Sequence, residues 1–466
     1  MPYDFRSFIK LLEEENKLVR VKREVDPKYE LGAVLWRAEE QGKAVFFEKV
    51  KGKNIPVVGG LYQQIGRLGL ALGFKEEEFG YKDFFELVNS AISKPTPPTE
   101  VGSGPVKEVV ETGDDVDLEK LPVPTFFESD GGPYITAGVS IAKNPETNVL
   151  NLGVYRTQVH GKKEITVYGS AISNLGNIYK NIEEKGYESM DLAVAIGVDP
   201  VILASAVSKA PPNLSEFDVA GSLNGEPIKV VKGETVELTI PSNTEIVLEG
   251  KVNVKNKVSE GPIGEFSGYY GSSTSSIITI TAVCHRENPW FQTILGGPAK
   301  EHYALINIIN TMLNQTILEG LKSKFESVKD ANLVWAPSTG TMLKLVISMD
   351  KKNEREPREV IKTAFNLSAG LLPVNAFVKQ IIVVDEDVDI RNPEDVEWAT
   401  FSRLPDRSRM VIIPNVAAWR FECVTKPNGT SVRIGMDVTK PLKDREKFKR
   451  AKIPRLEKIK LEDYTS

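Results

Sequence analysis

Cysteine is almost missing from this 466-residue chain: Cys284 and Cys423 are the whole supply, which excludes both a disulfide framework and a cysteine metal cluster. Both are expected to behave as small buried hydrophobes. Histidine is nearly as scarce, with only His160, His285 and His302, and no HExxH or other paired ligand spacing among them argues against a zinc hydrolase. No apolar run reaches the roughly 18 residues of a membrane span. The opening MetProTyrAspPheArg lacks the basic-then-apolar layout of a signal peptide, so the cytoplasm is the expected compartment. Neither sign of charge dominates: 26% of residues are charged, yet the formal net charge is only -5, so no basic field invites nucleic acid. Chemistry is thereby left to carboxylates, arginine or a borrowed cofactor. Glutamate and lysine are plentiful, a bias found in proteins from hot environments.

What is present points to an α/β (α+β) chain of two or three domains. Phe5, Phe8, Ile9 and Leu12 have helical spacing, and helices near 31–41, 65–72 and 84–92 alternate with short strands at 18–21, 44–47 and 57–59. That alternation describes an N-terminal α/β domain over residues 1–101. It closes at Lys94-Pro-Thr-Pro-Pro-Thr-Glu100, where successive prolines remove donors and fix φ. Residues 102–299 read as short β-rich runs, 134–141, 149–155, 164–168, 228–231, 246–252 and 277–283, with one helix near 175–185. Such runs suit a mostly antiparallel barrel or sandwich. Residues 300–325 read as one linker helix, with Ala304, Ile308, Thr311, Leu318 and Leu321 available for packing. Residues 326–466 alternate again, as a C-terminal α/β domain ending in a charged tail. No internal repeat is present.

Two carboxylates, Glu260 and Glu265, flank Gly261-Pro262-Ile263-Gly264. Pro262 presets the backbone of a tight turn and the glycines supply conformational freedom, so both carboxylates are expected to leave one compact loop. A close pair of this kind suits acid/base work, because each group moves the other's proton affinity. A solvated turn with two surface charges is the plainer alternative. The Gly/Ser-rich stretch 268–276 that follows reads as an irregular loop able to cover a site.

Asn151-Leu-Gly-Val-Tyr-Arg156, then Asn213-Leu-Ser-Glu216-Phe-Asp218, then Glu260-Gly-Pro-Ile-Gly-Glu265, together resemble the UbiD family of reversible decarboxylases. The Asp4-Phe5-Arg6-Ser7-Phe8 opening, the Pro-rich linker, Val384-Asp-Glu-Asp-Val-Asp389 and Val432-Arg-Ile-Gly-Met-Asp-Val-Thr439 extend the likeness over nearly the whole chain. The resemblance implies a central split β-barrel domain holding prenylated FMN with Mn²⁺ and a monovalent cation, usually K⁺. It also implies a C-terminal oligomerisation domain, a homodimer or homohexamer, and a flavin prenyltransferase as supplier of the cofactor. The family's Glu-Arg-Glu trio carries over onto Arg156, Glu260 and Glu265. Arg156 would dock a substrate carboxylate, Glu260 would hold the guanidinium, and Glu265 would donate the proton. By the same resemblance, the modified flavin would supply the electron sink.

By the same resemblance, Asn151 and Glu216 match metal ligands, and their hard oxygens suit Mn²⁺ or Mg²⁺. The family's metal histidine falls here at Asn174, which can offer an amide oxygen or simply begin a helix at Leu175. Val154, Tyr155 and Arg156 are expected along the flavin, Ser173 and Asn174 near its phosphate, and Lys379 as a further candidate for phosphate pairing. The resemblance implies a small carboxylic acid as substrate. Asn174 in place of histidine, with the composition, favours trans-anhydromevalonate 5-phosphate, decarboxylated to isopentenyl phosphate in a mevalonate-type route of isoprenoid biosynthesis. Lys300 is a candidate cation for that phosphate. An aromatic acid of the polyprenyl hydroxybenzoate type is the alternative substrate, and a flavin oxidoreductase or a non-catalytic assembly subunit the alternative of another class.

Overall fold

Phe5, Phe8, Ile9 and Leu12 line one face of the first helix, Phe5–Glu14, and all four are buried. Asp4 starts that helix by accepting the Ser7 N–H at 2.9 Å. The computed structural model describes residues 2–170, 173–208, 210–334, 343–371, 378–418, 422–455 and 458–464. Helices Glu30–Glu40, Ile65–Ala71 and Tyr81–Ser93 and strands Leu18–Val21, Ala44–Phe47 and Val57–Gly59 complete the expected alternation. The sheet those strands begin is finished from far away. Phe291–Thr293 pairs in parallel with Val57–Gly59 as its fourth strand.

The middle of the chain forms a nine-stranded, wholly antiparallel sheet. Its path runs Tyr134–Ile135, Thr157–Val159, Glu164–Val167, Tyr270–His285, Ile246–Gly264, Ser189–Ile196, Val139–Lys143, Leu150–Val154, with Val109–Thr112 added against Tyr270–His285. Among the described residues no pairing joins the two ends of this path, so the sheet is open and no closed barrel is found. Leu150–Val154 and Thr157–Val159 are neighbours in sequence yet lie at opposite ends of the path. Tyr155 and Arg156 therefore carry the chain across the open seam.

Several local expectations are corrected. The Gly/Ser-rich stretch is not an irregular loop: from Tyr270 onward it is strand, with Ser273 opposite Glu260 and Ser275 opposite Val258. Composition there is overruled by the ladder that a 19-residue partner strand supplies. Gly261-Pro262 is not a tight turn but part of the Ile246–Gly264 strand, at a register shift between Glu260 and Ile263. The hairpin reverses afterwards, over residues 265–269. The central region also holds more helix than expected, namely Pro200–Ser208 and Glu216–Asn224 besides Asn174–Glu184. Cys284 is buried as expected, whereas Cys423 is exposed.

Helix Lys300–Lys322 leads to the C-terminal sheet, ordered Val328–Val334, Leu343–Met349, Val378–Asp385, Thr430–Asp437, Met410–Ala417 and packed with helices Glu356–Leu371 and Pro393–Arg403. Among its described residues the charged tail contains the short helical turns Leu442–Phe448 and Leu461–Tyr464.

Candidate active site

Arg156 reaches from the seam to the long central hairpin. Its Nε donates to Glu260 Oε1 at 2.9 Å and its Nη2 to Glu260 Oε2 at 2.7 Å, a two-pronged pairing, while Nη1 donates to Glu265 Oε1. The Glu260 side chain is fully buried, and those of Arg156 and Glu265 are 13% and 8% exposed. Tyr168 lies beneath the guanidinium, 4.3 Å from carbon to ring centre. Burial alone would lower the proton affinity of Arg156, but the Glu265 and Glu260 charges outweigh it and raise the value, so the cation is permanent.

Backbone contacts hold the two carboxylates on this target. Gly261 N–H donates to Gln158 Oε1 at 2.9 Å, Gly264 N–H to Asp130 Oδ1 at 2.8 Å, and Gly131 N–H to the Pro262 carbonyl at 2.7 Å. Gly131 is pressed so closely on Gly261 that a Cβ there would overlap the Gly261 carbonyl. The bulge thus shifts the register between Glu260 and Glu265, and both still meet one arginine. An arginine between two carboxylates in a water-poor site can release one of them when a substrate carboxylate takes its place.

A second cluster lies at the other end of the same short segment. Ser215 and Asp218 form a capping box, Phe217 N–H donating to Ser215 Oγ at 3.3 Å and Ser215 N–H to Asp218 Oδ2 at 3.3 Å. Glu216, the first residue of that helix, is turned inward: Oε1 accepts from Asn151 Nδ2 at 3.1 Å and Oε2 from Leu152 N–H at 2.7 Å. Burial dominates over these bonds and pushes the Glu216 carboxyl up to about 8. Among the described residues no cation pairs with it, and no group of three or more His, Cys, Asp or Glu side chains is placed to hold a metal ion.

Tyr155 ties this cluster to the next. Its hydroxyl accepts the Leu175 N–H at 3.3 Å, and it is held up at about 12 by burial, with the Glu216 charge contributing less. Ser173, not Asn174, caps helix Asn174–Glu184, its Oγ accepting the Gly176 N–H at 3.0 Å; Asn174 is the first helical residue. Val154 is half-buried at the end of its strand, opposite Val139. An inward carboxylate that no cation pairs among the described residues, beside the Asn151 amide and linked through Tyr155 to the N-terminus of helix Asn174–Glu184, is compatible in its chemistry with a divalent cation beside a phosphate.

Two other candidates are engaged elsewhere. Lys379, on the C-terminal sheet, directs its ammonium to Glu422 and, at 2.6 Å, to Ser431. Lys300 donates Nζ to the Glu39 carbonyl at 2.8 Å. Three residues near the arginine carried no signal in the sequence: Tyr134, Tyr168 and His302. His302 donates through Nδ1–H to the Gly297 carbonyl at 3.0 Å and meets the Phe266 ring edge-on, 5.9 Å between centres. Burial, aided by the Arg156 charge, lowers its proton affinity and favours the neutral ring. All three are brought in by long-range pairing or packing, which no short motif announces.

Three family models match in series. They are the 3-octaprenyl-4-hydroxybenzoate carboxy-lyase N-terminal domain over residues 9–87, the Rift-related domain over 99–299 and the C-terminal domain over 307–438. An uncharacterised protein of Archaeoglobus fulgidus is 32% identical over 95% of this chain and 92% of its own length. Among solved structures, the UbiD-class enzyme HmfF of Pelotomaculum thermopropionicum in complex with FMN is 33% identical, with a TM-score of 0.86 over 99% of this chain and all of that one. An evolved dimeric form of the same enzyme, in complex with prenylated FMN, gives 0.81 at 33% identity over 99% of both chains. Vanillic acid decarboxylase of Sedimentibacter hydroxybenzoicus, in its open form, is 28% identical with a TM-score of 0.80, over all of this chain and 98% of that one.

Proposed function

The chain belongs to the UbiD family of flavin-dependent carboxy-lyases, and within it we propose a non-oxidative, reversible decarboxylase of an α,β-unsaturated acid. The observation that carries this reading is Arg156 held between Glu260 and Glu265 across the open seam. The cofactor would be prenylated FMN, which when bound supplies the electron sink for the bond that loses CO₂. Asn151, Glu216 and Asn174 would hold Mn²⁺ or Mg²⁺ at its phosphate, with K⁺ as the monovalent ion; Val154, Tyr155, Ser173 and, more remotely, Lys379 would line it.

The substrate carboxylate would dock on the Arg156 fork and displace Glu265, while Glu260 keeps the guanidinium in place. Glu265, thus released, would carry a proton. When the carbon–carboxyl bond breaks and CO₂ departs, Glu265 would deliver that proton to the carbon left behind, and solvent would restore it. Burial of the trio keeps water from competing for that proton.

The preferred substrate is trans-anhydromevalonate 5-phosphate, giving isopentenyl phosphate for isoprenoid biosynthesis; Asn174 in place of the family's histidine supports that branch. An aromatic acid is the second reading, supported by the vanillic acid decarboxylase likeness. The proposal extends to a cytoplasmic homodimer or homohexamer, built through residues 326–466, that receives its flavin from a prenyltransferase. The test is CO₂ release by protein coexpressed with a flavin prenyltransferase, offered anhydromevalonate phosphate and a panel of aromatic acids. Turnover confined to an aromatic acid would reassign the substrate. Bound unmodified FMN that cycles with a reductant, without CO₂ release, would overturn the decarboxylase reading. In the active protein, Glu265→Gln should lower turnover by about 10²–10⁴ while prenylated flavin stays bound.

A further inference from the structure

Two carboxylates share one arginine, yet proton delivery requires that the proton be placed on one of them, and Tyr134 offers a means. Tyr134 is fully buried in the edge strand Tyr134–Ile135, paired opposite Gln158. Gln158 in turn holds Gly261 N–H, the peptide next to Glu260. The register therefore delivers the phenol to the Glu260 side of the cluster. Its hydroxyl is sealed from water, beside the Glu260 carboxylate and near Arg156, but it closes no aligned hydrogen bond in this conformation. A buried hydroxyl whose approach to its neighbouring carboxylate is not aligned carries a desolvation cost that a small rotation toward that carboxylate would relieve.

We infer that Tyr134 is a positioning residue: its O–H is the third donor to Glu260, after Arg156 Nε and Nη2, and it keeps Glu260 anionic so that the transferable proton resides on Glu265. Burial first, then the Glu260 charge, raises the proton affinity of the phenol, so it remains a donor across the working pH range. The other charged or titratable groups around Tyr134 and Glu260 are Arg156 from the seam, Glu265 from the hairpin, His160 just after strand Thr157–Val159 and Asp130 from the loop before Tyr134. Of these, Arg156 is shared between the two carboxylates, which leaves Tyr134 as the group that favours Glu260 alone. The inference rests on the decarboxylase reading for its purpose but not for its test.

That test follows the Glu260 carboxyl by infrared titration in Glu265→Gln protein, the band being assigned by its loss on adding Glu260→Gln. Adding Tyr134→Phe should raise the Glu260 midpoint by about one pH unit. In the loaded single variant Tyr134→Phe, kcat should fall about tenfold or more with KM within about twofold, and the alkaline limb of kcat should move to higher pH. An unchanged midpoint overturns the inference, whether or not any acid is turned over. If Tyr134→Phe fails to fold, 3-fluorotyrosine at position 134, a stronger donor of nearly the same shape, should move the midpoint down instead; no movement with it overturns the inference equally. Failure of the decarboxylase reading is seen separately, as absence of CO₂ release from unmodified protein.

Discussion

Glu260 and Glu216 are both almost wholly removed from water, and they keep very different company. Glu260 faces a guanidinium in a two-pronged pairing; Glu216 faces an amide, a backbone N–H and, among the described residues, no cation. The first cluster carries its own counter-charge and is ready to exchange one anion for another. The second holds a carboxyl at about 8 because burial penalises its charged form and, among the described residues, no cation offsets that. Nearly complete burial thus goes with an ion pair at one end of a six-residue stretch and with a carboxyl of raised proton affinity at the other.

Removing the guanidinium is the most severe way to break this contrast. Arg156→Ala should abolish decarboxylation, by at least about 10³-fold, and cost about 3–5 kcal/mol of stability, because Glu260 would be left buried and unpaired. Turnover assays and denaturant unfolding check the two arms. Next in size is the pH response of metal-free protein. The Glu216 proton affinity is raised from the ordinary 4.5 to about 8, so the folded state holds that proton more tightly than the unfolded chain. The stability this provides is complete below about pH 4.5 and is lost as pH rises through about 8. Melting temperature should therefore fall over that interval by an amount that Glu216→Gln reduces, and Mn²⁺ should restore it at pH 8 only when Glu216 is present. Thermal unfolding with and without metal reads both effects.

Smaller changes sharpen the comparison. Tyr168→Leu removes the ring beneath Arg156 and should cost about 0.5–2 kcal/mol in transition-state stabilisation, read as a several-fold loss in kcat/KM with metal-dependent stability intact. Smallest is Tyr155→Phe, which leaves the Leu175 N–H without its acceptor. A stability loss of about 1 kcal/mol, measured by chemical denaturation, is expected, with Arg156 chemistry little altered.

The N-terminal alternation was plain in the sequence because its apolar spacing is local: Phe5, Phe8, Ile9 and Leu12 need only one helix to explain them. Helix Glu216–Asn224 was also announced, by Ser215 and Asp218 three residues apart and by Gly225 at its end in a left-handed conformation with φ 77°. The same string carries Glu216, so a helix start and a candidate ligand overlap there. The half of strand Tyr270–His285 that spans 277–283 is legible as an apolar β run, whereas 270–276 is not, since serine and glycine acquire ladder positions only from the partner strand. The site divides in the same way. Arg156, Glu260 and Glu265 sit in recognisable strings and do converge, while Tyr134, Tyr168 and His302 are isolated residues whose relevance depends on register.

The fourth strand of the N-terminal sheet, Phe291–Thr293, is synthesised more than two hundred residues after the Val57–Gly59 edge it covers. At typical elongation rates of about 5–20 residues per second, that edge waits roughly 10–50 s on the ribosome before its partner is made. A bare edge of Val57, Val58 and Gly59 invites pairing with another nascent chain. The order in which this polypeptide is made therefore creates a period of exposure during synthesis, and truncations ending before residue 291 should aggregate even though every residue of the first three strands is present.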